Sequence, residues 1–565
     1  MIKRHSIAIQ STTLLLLFAV ASTRYTCAGL DQPGAISREL QQQEQREQVL
    51  REQRRPRVPD VRLLPSPDRV PEGFPRETPC YVIEQVELRG GEMRLQRLLQ
   101  PLAERAVGWC LGVKGINLLM SRMQNRLVED GLVTTRVLAP AQDLRRGLLL
   151  LRVVSGRVGR LLQEGGGAST IDLASTLPVV SGDLLDLRDL EQGLENLQRL
   201  PGVRAGLQLV PGQRPGESDL KVSWQQQKRW RVSVMLDDAG SEQTGKKQAA
   251  ATLFLDNPLG KGDLFYLSRG RDLLNPGARG SDSYQLHYSI PCGYWMFGLN
   301  ASRYGYYQTI PGGVADYRYR GEGHGIELDI DRVIYRSAGS RTTLGLRLGQ
   351  RASSNFIDDI EIALQRRRTA YWDLAFRHRV FTGRATLDLG LSYRTGLKGL
   401  GAEPAAEESS GSASARSAFW QARLDILLPF EIRQRRFRYH GRLRAQVAQG
   451  MLTPPDRFAI GSRWTVRGFD GEFTLVADNG WYLRNELAWQ VPRHQVSLFV
   501  GLDLGRVTGR GSERLPGQSL AGTVIGLRGS RYQLDYELFA GMPLTEPSRF
   551  ESDNSVFGFS LNWQW

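Results

Sequence analysis

The amino-acid sequence predicts a transmembrane antiparallel β-barrel of about sixteen strands, preceded by a polar helix and two small α+β domains. Three observations favour this fold class. The chain begins with an export signal, and no later stretch supplies the roughly 18 apolar residues that a membrane-spanning helix needs. Polar and apolar residues then alternate from Trp230 to Trp565. Strands with this alternation cross a membrane with only a weak hydropathy signal.

The composition excludes several classes of protein. The chain has 565 residues, too many for one ordinary domain, and a formal net charge of +15. Its basic residues are spread over the predicted strands and form no nucleic-acid recognition motif, so they fit the lining of a wet lumen better. The six histidines have no metal-ligand spacing, and no phosphate loop or nucleophile elbow is present. We therefore expect no enzyme activity, cofactor, metal, nucleotide or nucleic acid.

Residues 1–28 are predicted to be a secretory signal peptide. Lys3 and Arg4 precede an apolar stretch at 7–20, and small residues follow around Ala28. Lipoprotein attachment at Cys27 is the alternative. Export places the mature chain in an oxidising compartment, where cysteines form disulfides.

The amino-terminal part of the mature chain reads as a tethered helix. Residues 29–56 include a run of good helix formers at 37–55 that is polar nearly all round, so the helix has no core-facing stripe. Residues 57–79 are rich in proline, which favours an extended spacer. A polar helix of this kind must lie free, pair with a polar surface or fill an aqueous cavity.

Two short units follow, at 80–155 and 156–228, and both read as β-α-α-β-β. Leucines at helical spacing predict their helices, and Gly131 is placed just after the second helix of the first unit. Cys80 and Cys110 lie in the first unit at a spacing that a disulfide can bridge, and we predict this bond, with two free thiols as the alternative. Cys292 is then expected to be unpaired. The sheet edges of such units remain available to pair with another chain.

Residues 229–565 carry the barrel pattern. In the last predicted strand, one face is large and apolar and the other is small or polar; the apolar face includes Phe557, Phe559, Trp563 and Trp565. Short predicted turns at 257–260, 381–383, 491–494 and 529–530 alternate with long loops at 304–320, 350–368, 394–417 and 449–480. This asymmetry is typical of outer-membrane barrels. A soluble sandwich or propeller is the alternative, but its inner face would not carry Arg, Asp and Glu.

The chain resembles the two-partner secretion transporters, the haemolysin secretion/activation proteins of the ShlB, FhaC and HecB type. The resemblance spans nearly the whole mature chain. It rests on short segments that are weak alone but specific in this order: 131–137, 140–144, 187–194, 211–212, 215–218, 236–241 and 256–260, together with Cys80 and Cys110.

Two further motifs indicate mechanism. Val466, Arg467, Gly468 and Phe469 lie in the longest loop, at about 449–480, which in the resembling family folds back into the barrel. On the second predicted strand after this loop, Gly501, Asp503 and Gly505 share one face, and the leucines at 498, 502 and 504 lie on the other. A carboxylate on the lipid face is costly, so Asp503 is predicted to face the lumen. Its glycine neighbours leave room for another segment, and the resemblance implies Arg467 as its partner. The alternative is an ordinary Arg-Gly turn and an unrelated carboxylate in the lumen.

The resemblance implies a transporter of the outer membrane whose two small units are periplasmic POTRA domains. These would capture a large unfolded TpsA-type exoprotein as an added strand, and the helix at 29–56 would plug the barrel. The exoprotein would be an adhesin, a haemolysin or a contact-dependent toxin. Outer-membrane lipid, lipopolysaccharide and the barrel assembly machinery, which would act on the terminal strand, are further expected partners. An insertase for other barrels and a passive porin are the alternatives.

Overall fold

The computed structural model describes residues 60–63, 70–71, 73–165, 170–273, 277–312 and 315–565. The predicted signal peptide and the polar helix at 29–56 lie outside these residues, as do residues 57–59, 64–69 and 72 of the proline-rich spacer. No helix within the described ranges is long and apolar enough to cross a membrane.

The first small domain packs two helices on a three-stranded sheet of order β2-β5-β4. Its elements are β1 (Tyr81–Val82), β2 (Gln85–Arg89), α1 (Met93–Glu104), β3 (Cys110–Leu111), α2 (Val113–Glu129), β4 (Arg136–Leu138) and β5 (Leu148–Val154). The strand expected near Tyr81 is therefore interrupted, and β1 pairs with β3 in a separate two-residue ribbon. Gly131 has a φ of +94°, as the stop expected after α2 requires. Leucines of both helices form the buried core against β5.

The second small domain repeats this plan with a sheet of order β6-β8-β7. Its elements are β6 (Arg157–Glu164), α3 (Leu173–Thr176), α4 (Leu187–Gln198), β7 (Val203–Pro211) and β8 (Glu217–Gln226). Asp186 caps α4 by accepting a hydrogen bond from the backbone N–H of Arg188 at 2.9 Å. The apolar core of this domain continues into the barrel through Phe254, Leu264 and Tyr266.

Helix α4 is buried on its polar face as well as its leucine face, because the polar face lies against the periplasmic end of the barrel. Asn196 donates to the carbonyl of Gly293 at 2.7 Å, and Asp189 accepts a hydrogen bond from the Tyr294 hydroxyl. Burial raises the pKa of Asp189 to about 6, more than the Tyr294 hydrogen bond lowers it. The second domain is thus docked onto the barrel through both apolar and polar contacts.

Sixteen long antiparallel strands close into a barrel, in which a two-residue strand, β16, adds a small hairpin. The strands are β9 (Trp230–Asp237), β10 (Gln248–Asp256), β11 (Leu264–Asp272), β12 (Arg279–Cys292), β13 (Trp295–Ile310), β14 (Tyr317–Arg336), β15 (Ser340–Ile357), β16 (Ile360–Glu361), β17 (Arg367–Thr382), β18 (Ala385–Leu397), β19 (Phe419–Ile432), β20 (Arg435–Ala448), β23 (Asn479–Gln490), β24 (Val496–Thr508), β25 (Ser519–Arg531), β26 (Leu534–Thr545) and β27 (Val556–Gln564). A short helix, α5 (Ala406–Ser409), lies in the loop after β18.

Some predicted connections were wrong. The region 304–320 is mostly strand, since pairing of β13 with β14 continues to Ile310 and Tyr317. Buried tyrosines at 304, 306 and 319 hold this extended hairpin together. The turn expected at 529–530 lies at 532–533, where Tyr532 and Gln533 both have positive φ. A two-residue turn with positive φ suits the twist of the flanking strands, and neither residue is the glycine that signals such a turn.

Candidate functional site

The loop between β20 and β23 lies inside the barrel and has its own small core. It contains a hairpin, β21 (Phe458–Ile460) paired with β22 (Leu475–Ala477). Its apolar residues cluster with residues of the barrel wall and of the last outer loop; the cluster comprises Ile460, Val466, Phe469, Leu475, Ala477, Val507, Leu520 and Phe550. The rings of Phe469 and Phe550 meet edge to face at 5.6 Å. Apolar burial thus holds the loop in a lumen that the sequence predicts to be wet.

Arg467, near the tip of this loop, forms a bidentate ion pair with Asp503 on β24. Its Nε lies 2.7 Å from Oδ2 and its Nη2 lies 2.9 Å from Oδ1 of Asp503. The backbone N–H of Arg467 also donates to Oδ2 at 3.0 Å. Asp503 is 0% exposed and Arg467 only 6%. Charge-assisted bidentate bonds in a buried setting are strong and fix the orientation of both groups.

The alternation predicted for β24 is observed. The apolar residues Leu498, Val500, Leu502 and Leu504 face outward, whereas Phe499 and Asp503 are buried on the lumen side. A Cβ on Gly501 would lie 2.5 Å from Nη2 of Arg467, and one on Gly505 would lie 2.8 Å from Cγ2 of Val466. Both predicted glycines therefore leave space for the loop.

Two glycines with the same role escaped the sequence reading. A Cβ on Gly522 of β25 would lie 2.0 Å from the carbonyl oxygen of Arg467. A Cβ on Gly541 of β26 would lie 3.0 Å from Cα of Gly468, which itself has a φ of +105°. Glycine at 468 permits this left-handed backbone, so the loop tip approaches β25 and β26 backbone to backbone.

Glu486 is a third member of the site that the sequence reading missed. It lies on β23 and accepts a hydrogen bond from Nη1 of Arg467 at 2.7 Å. Arg528 donates to its other oxygen at 2.6 Å, and Arg484 lies 3.8 Å from Asp503. Positive and negative groups therefore alternate along the lumen wall. The alternation of side chains along β23 could have placed Glu486 inside the barrel. Its position opposite Gly501, however, follows only from the register of β23 with β24.

The same loop also contacts the seam that closes the barrel. The seam pairs β9 with β27 over five residues, whereas every other neighbouring pair of long strands shares eight or more. Above the paired part, the N–H of Phe559 donates to the carboxylate of Asp238 at 2.9 Å. Arg463 of the loop binds that carboxylate at 2.8 Å. Beyond the last backbone pair, side-chain hydrogen bonds therefore connect β9, β27 and the in-folded loop.

The remaining predicted residues lie elsewhere. Cys80 and Cys110 are joined by a disulfide in the first domain, and Cys292 is free and exposed. On the terminal strand, Phe557 and Trp563 point outward. Trp565 follows the strand, exchanges backbone hydrogen bonds with Val232 and lies 4.8 Å from the ring of Trp230.

A closed barrel with an in-folded loop and two POTRA domains defines an outer-membrane transporter whose amino-terminal domains lie in the periplasm. Models of POTRA domains match residues 81–156 and 158–211. A family described as haemolysin secretion/activation protein ShlB/FhaC/HecB matches residues 216–529. The chain belongs to this family and acts in two-partner secretion, the export of an exoprotein through the outer membrane.

Relatives and solved structures agree with this assignment. The chain is 32% identical over 559 residues to outer membrane transporter CdiB-2 of Burkholderia pseudomallei, covering 94% of this chain and 95% of that protein. It is 26% identical to the hemolysin transporter protein ShlB of Serratia marcescens, covering 88% of each. The structure of CdiB from Acinetobacter baumannii is similar with a TM-score of 0.83 and 28% identity, covering 94% of this chain and 99% of that one.

Proposed function

We propose that this chain exports one large exoprotein, an adhesin, a haemolysin or a contact-dependent toxin, and that the Arg467–Asp503 contact holds the in-folded loop in the state from which transport starts. The observation that carries the proposal is the bidentate pair at 2.7 and 2.9 Å, buried beside glycines that admit the loop. A contact so completely desolvated is stable while paired and costly to break on one side only. The pair would therefore hold the loop inward until both groups are released together.

Capture of the exoprotein would fall to the two periplasmic domains. Strands β2 and β4 form the edges of the first sheet, and β6 and β7 form those of the second. An unfolded segment can add to such an edge through backbone hydrogen bonds, with side-chain pockets giving preference. Residues 80–155 and 156–228 would then be the two capture domains, ahead of the barrel at 229–565.

The segments ahead of the first capture domain have separate roles in this proposal. Residues 1–28 would direct export, the polar helix at 29–56 would occupy the lumen at rest, and 57–79 would tether it.

The terminal strand with Phe557, Phe559, Trp563 and Trp565 would be recognised by the barrel assembly machinery, and the outward apolar face would contact lipid and lipopolysaccharide. Transport would use no catalysis by this chain, with folding of the exoprotein outside giving direction.

Secretion and conductance test this proposal together. Cells that express the chain with its exoprotein should release the exoprotein, and deletion of residues 30–55 should leave a heat-modifiable barrel with larger or longer openings in planar bilayers. Release of the exoprotein by cells that lack this chain would refute the transport function. Unchanged conductance after the deletion would refute only the plug.

A further inference from the structure

Residues 60–63, one of the described segments of the spacer, occupy a cleft at the periplasmic mouth of the barrel. One wall is helix α4, and the other is the turn between β14 and β15 together with the end of β17. The guanidinium of Arg62 lies 4.6 Å from the Phe381 ring and donates to the carbonyl of Ala338 at 3.0 Å. Asp60 accepts a hydrogen bond from Arg379 at 2.6 Å. A short piece of chain is thus held where cargo must enter.

Most of the hydrogen bonds between residues 60–63 and the cleft are made by the backbone of two alternate residues, Val61 and Leu63. The N–H of Val61 donates to Glu195 at 3.1 Å, and the N–H of Leu63 donates to Glu191 at 2.7 Å. The carbonyl of Val61 accepts from Arg336 at 2.9 Å. The carbonyl of Leu63 accepts from Arg188 at 3.3 Å. Each of the two residues therefore has its donor and its acceptor satisfied by side chains, as a neighbouring strand would satisfy them.

The spacing of the cleft explains why it fits an extended chain. Glu191 and Glu195 are one helical turn apart, which places their side chains about 5–6 Å from each other. Alternate residues of an extended strand recur at roughly 6.6 Å. The distance between the two carboxylates on one turn of α4 is therefore close to the distance between successive N–H groups along one edge of a strand.

Both carboxylates of the cleft also bind arginines that do not belong to the spacer. Glu191 and Glu195 are 1% and 2% exposed and Arg336 is 6% exposed. Arg336 binds Glu191 at 3.1 Å and Glu195 at 2.8 Å, and Arg188 binds Glu191 at 2.6 Å. Because these ion pairs do not involve the spacer, the arginines would still orient both carboxylates as acceptors if the spacer left.

We propose that this cleft is a binding site for an extended polypeptide segment, and that residues 60–63 fill it until an arriving segment of the exported chain displaces them. The site recognises backbone more than sequence, as a transporter of unfolded chains requires. Displacement would free the tether of the amino-terminal helix and so couple cargo arrival to opening. This inference rests on the proposed function, but its first tests use the purified chain alone.

The first test asks whether backbone N–H groups hold the spacer. Proline keeps an extended backbone but has no N–H, so Val61→Pro combined with Leu63→Pro should release it. Val61→Ala with Leu63→Ala keeps both donors and is the matched control. A photoreactive benzoylphenylalanine at Ala338 should form an adduct with the spacer in the full-length chain. We expect the adduct to fall at least tenfold in the proline variant and at most threefold in the alanine variant. Equal losses in both variants would overturn backbone recognition.

The second test asks whether the vacated cleft takes another chain. A biotinylated (Thr-Val)5 peptide should form an adduct at Ala338 in the proline variant and much less in the parent, and the same peptide with N-methylated amides should form none. A proline variant that takes up neither peptide would show a purely structural clamp and would overturn the proposal.

The third test is made in cells. With a stalled exoprotein, the spacer adduct at Ala338 should give way to an exoprotein adduct, while the same probe at His494, in the turn between β23 and β24, should give none. A spacer adduct that persists undiminished during active secretion would overturn the proposal but leave the transport function standing. Loss of secretion in the parent would instead count against the function.

Discussion

Breaking the Arg467–Asp503 contact should release the in-folded loop. Arg467→Ala removes two side-chain hydrogen bonds to Asp503 and one to Glu486. Asp503, which is 0% exposed, then has Arg484 at 3.8 Å as its nearest cation among the residues that the structure describes. Removal of one partner of a buried pair typically costs about 3–5 kcal/mol, and each 1.4 kcal/mol is about tenfold in an equilibrium. The population of the inward position, relative to the released loop, should therefore fall by about 10²- to 4 × 10³-fold.

The surrounding charges predict how the variants rank. Asp503→Ala leaves Arg467 paired with Glu486 at 2.7 Å, so its effect should be smaller than that of Arg467→Ala. Arg467→Lys keeps the charge but not the planar fork, and should be intermediate. Because both residues act through one contact, the double alanine variant should be no worse than the poorer single variant. A swap of the two charges should recover part of the function.

Two measurements are needed together. Secretion of the exoprotein is compared at matched levels of heat-modifiable barrel, and loop position is followed at Ser462→Cys in a Cys292→Ser background. Ser462 is buried inside the barrel, so an impermeant maleimide added outside should label it slowly in the parent and fast in Arg467→Ala. Single defects that multiply in the double variant, with unchanged labelling, would refute the proposed contact.

Four further predictions follow from other contacts. Gly522→Ala should impair secretion as Arg467→Ala does, because the added Cβ would lie 2.0 Å from a backbone oxygen. Gly298→Ala on β13 is the control and should secrete normally, since its added Cβ would lie 3.4 Å from the nearest atom. Arg463→Gln should weaken the outer part of the β9–β27 seam, seen as a lower temperature of barrel unfolding on gels, whereas unchanged heat-modifiability would count against that role. Docking of the second domain should weaken as pH rises from about 4 through about 6, because burial raises the pKa of Asp189 to about 6 and so favours its neutral form in the docked state. The loss should be at most about 3 kcal/mol, the value for a pKa that returns fully from about 6 to 3.8 on undocking. Asp189→Asn should abolish this pH dependence in a fluorescence energy transfer assay between domain and barrel. Reduction of the Cys80–Cys110 disulfide, which spans 30 residues, should destabilise the first domain by about 3–4 kcal/mol. Full thiol labelling of both cysteines in protein recovered from the cell envelope would show that the bond does not form there.

The sequence by itself determined those features that repeat along the chain. Alternation of period two placed the barrel and fixed which face of β24 carries Asp503, because successive side chains of a strand point to opposite sides. Helical spacing of leucines located α1, α2 and α4, and Gly131 marked the end of α2. The family motifs then pointed to Arg467 and to the loop that carries it.

Only the tertiary structure decided which distant residues meet. Glu486 joins Arg467 through the register of β23 with β24, and Gly522 and Gly541 admit the loop from strands that follow the motif. The polar face of α4 is typical of a solvent-exposed surface, yet it is buried against the barrel and binds residues 60–63. Periodicity specifies the direction of a side chain from its own element, whereas its partner depends on strand register, barrel closure and domain docking, which bring together residues more than a hundred positions apart.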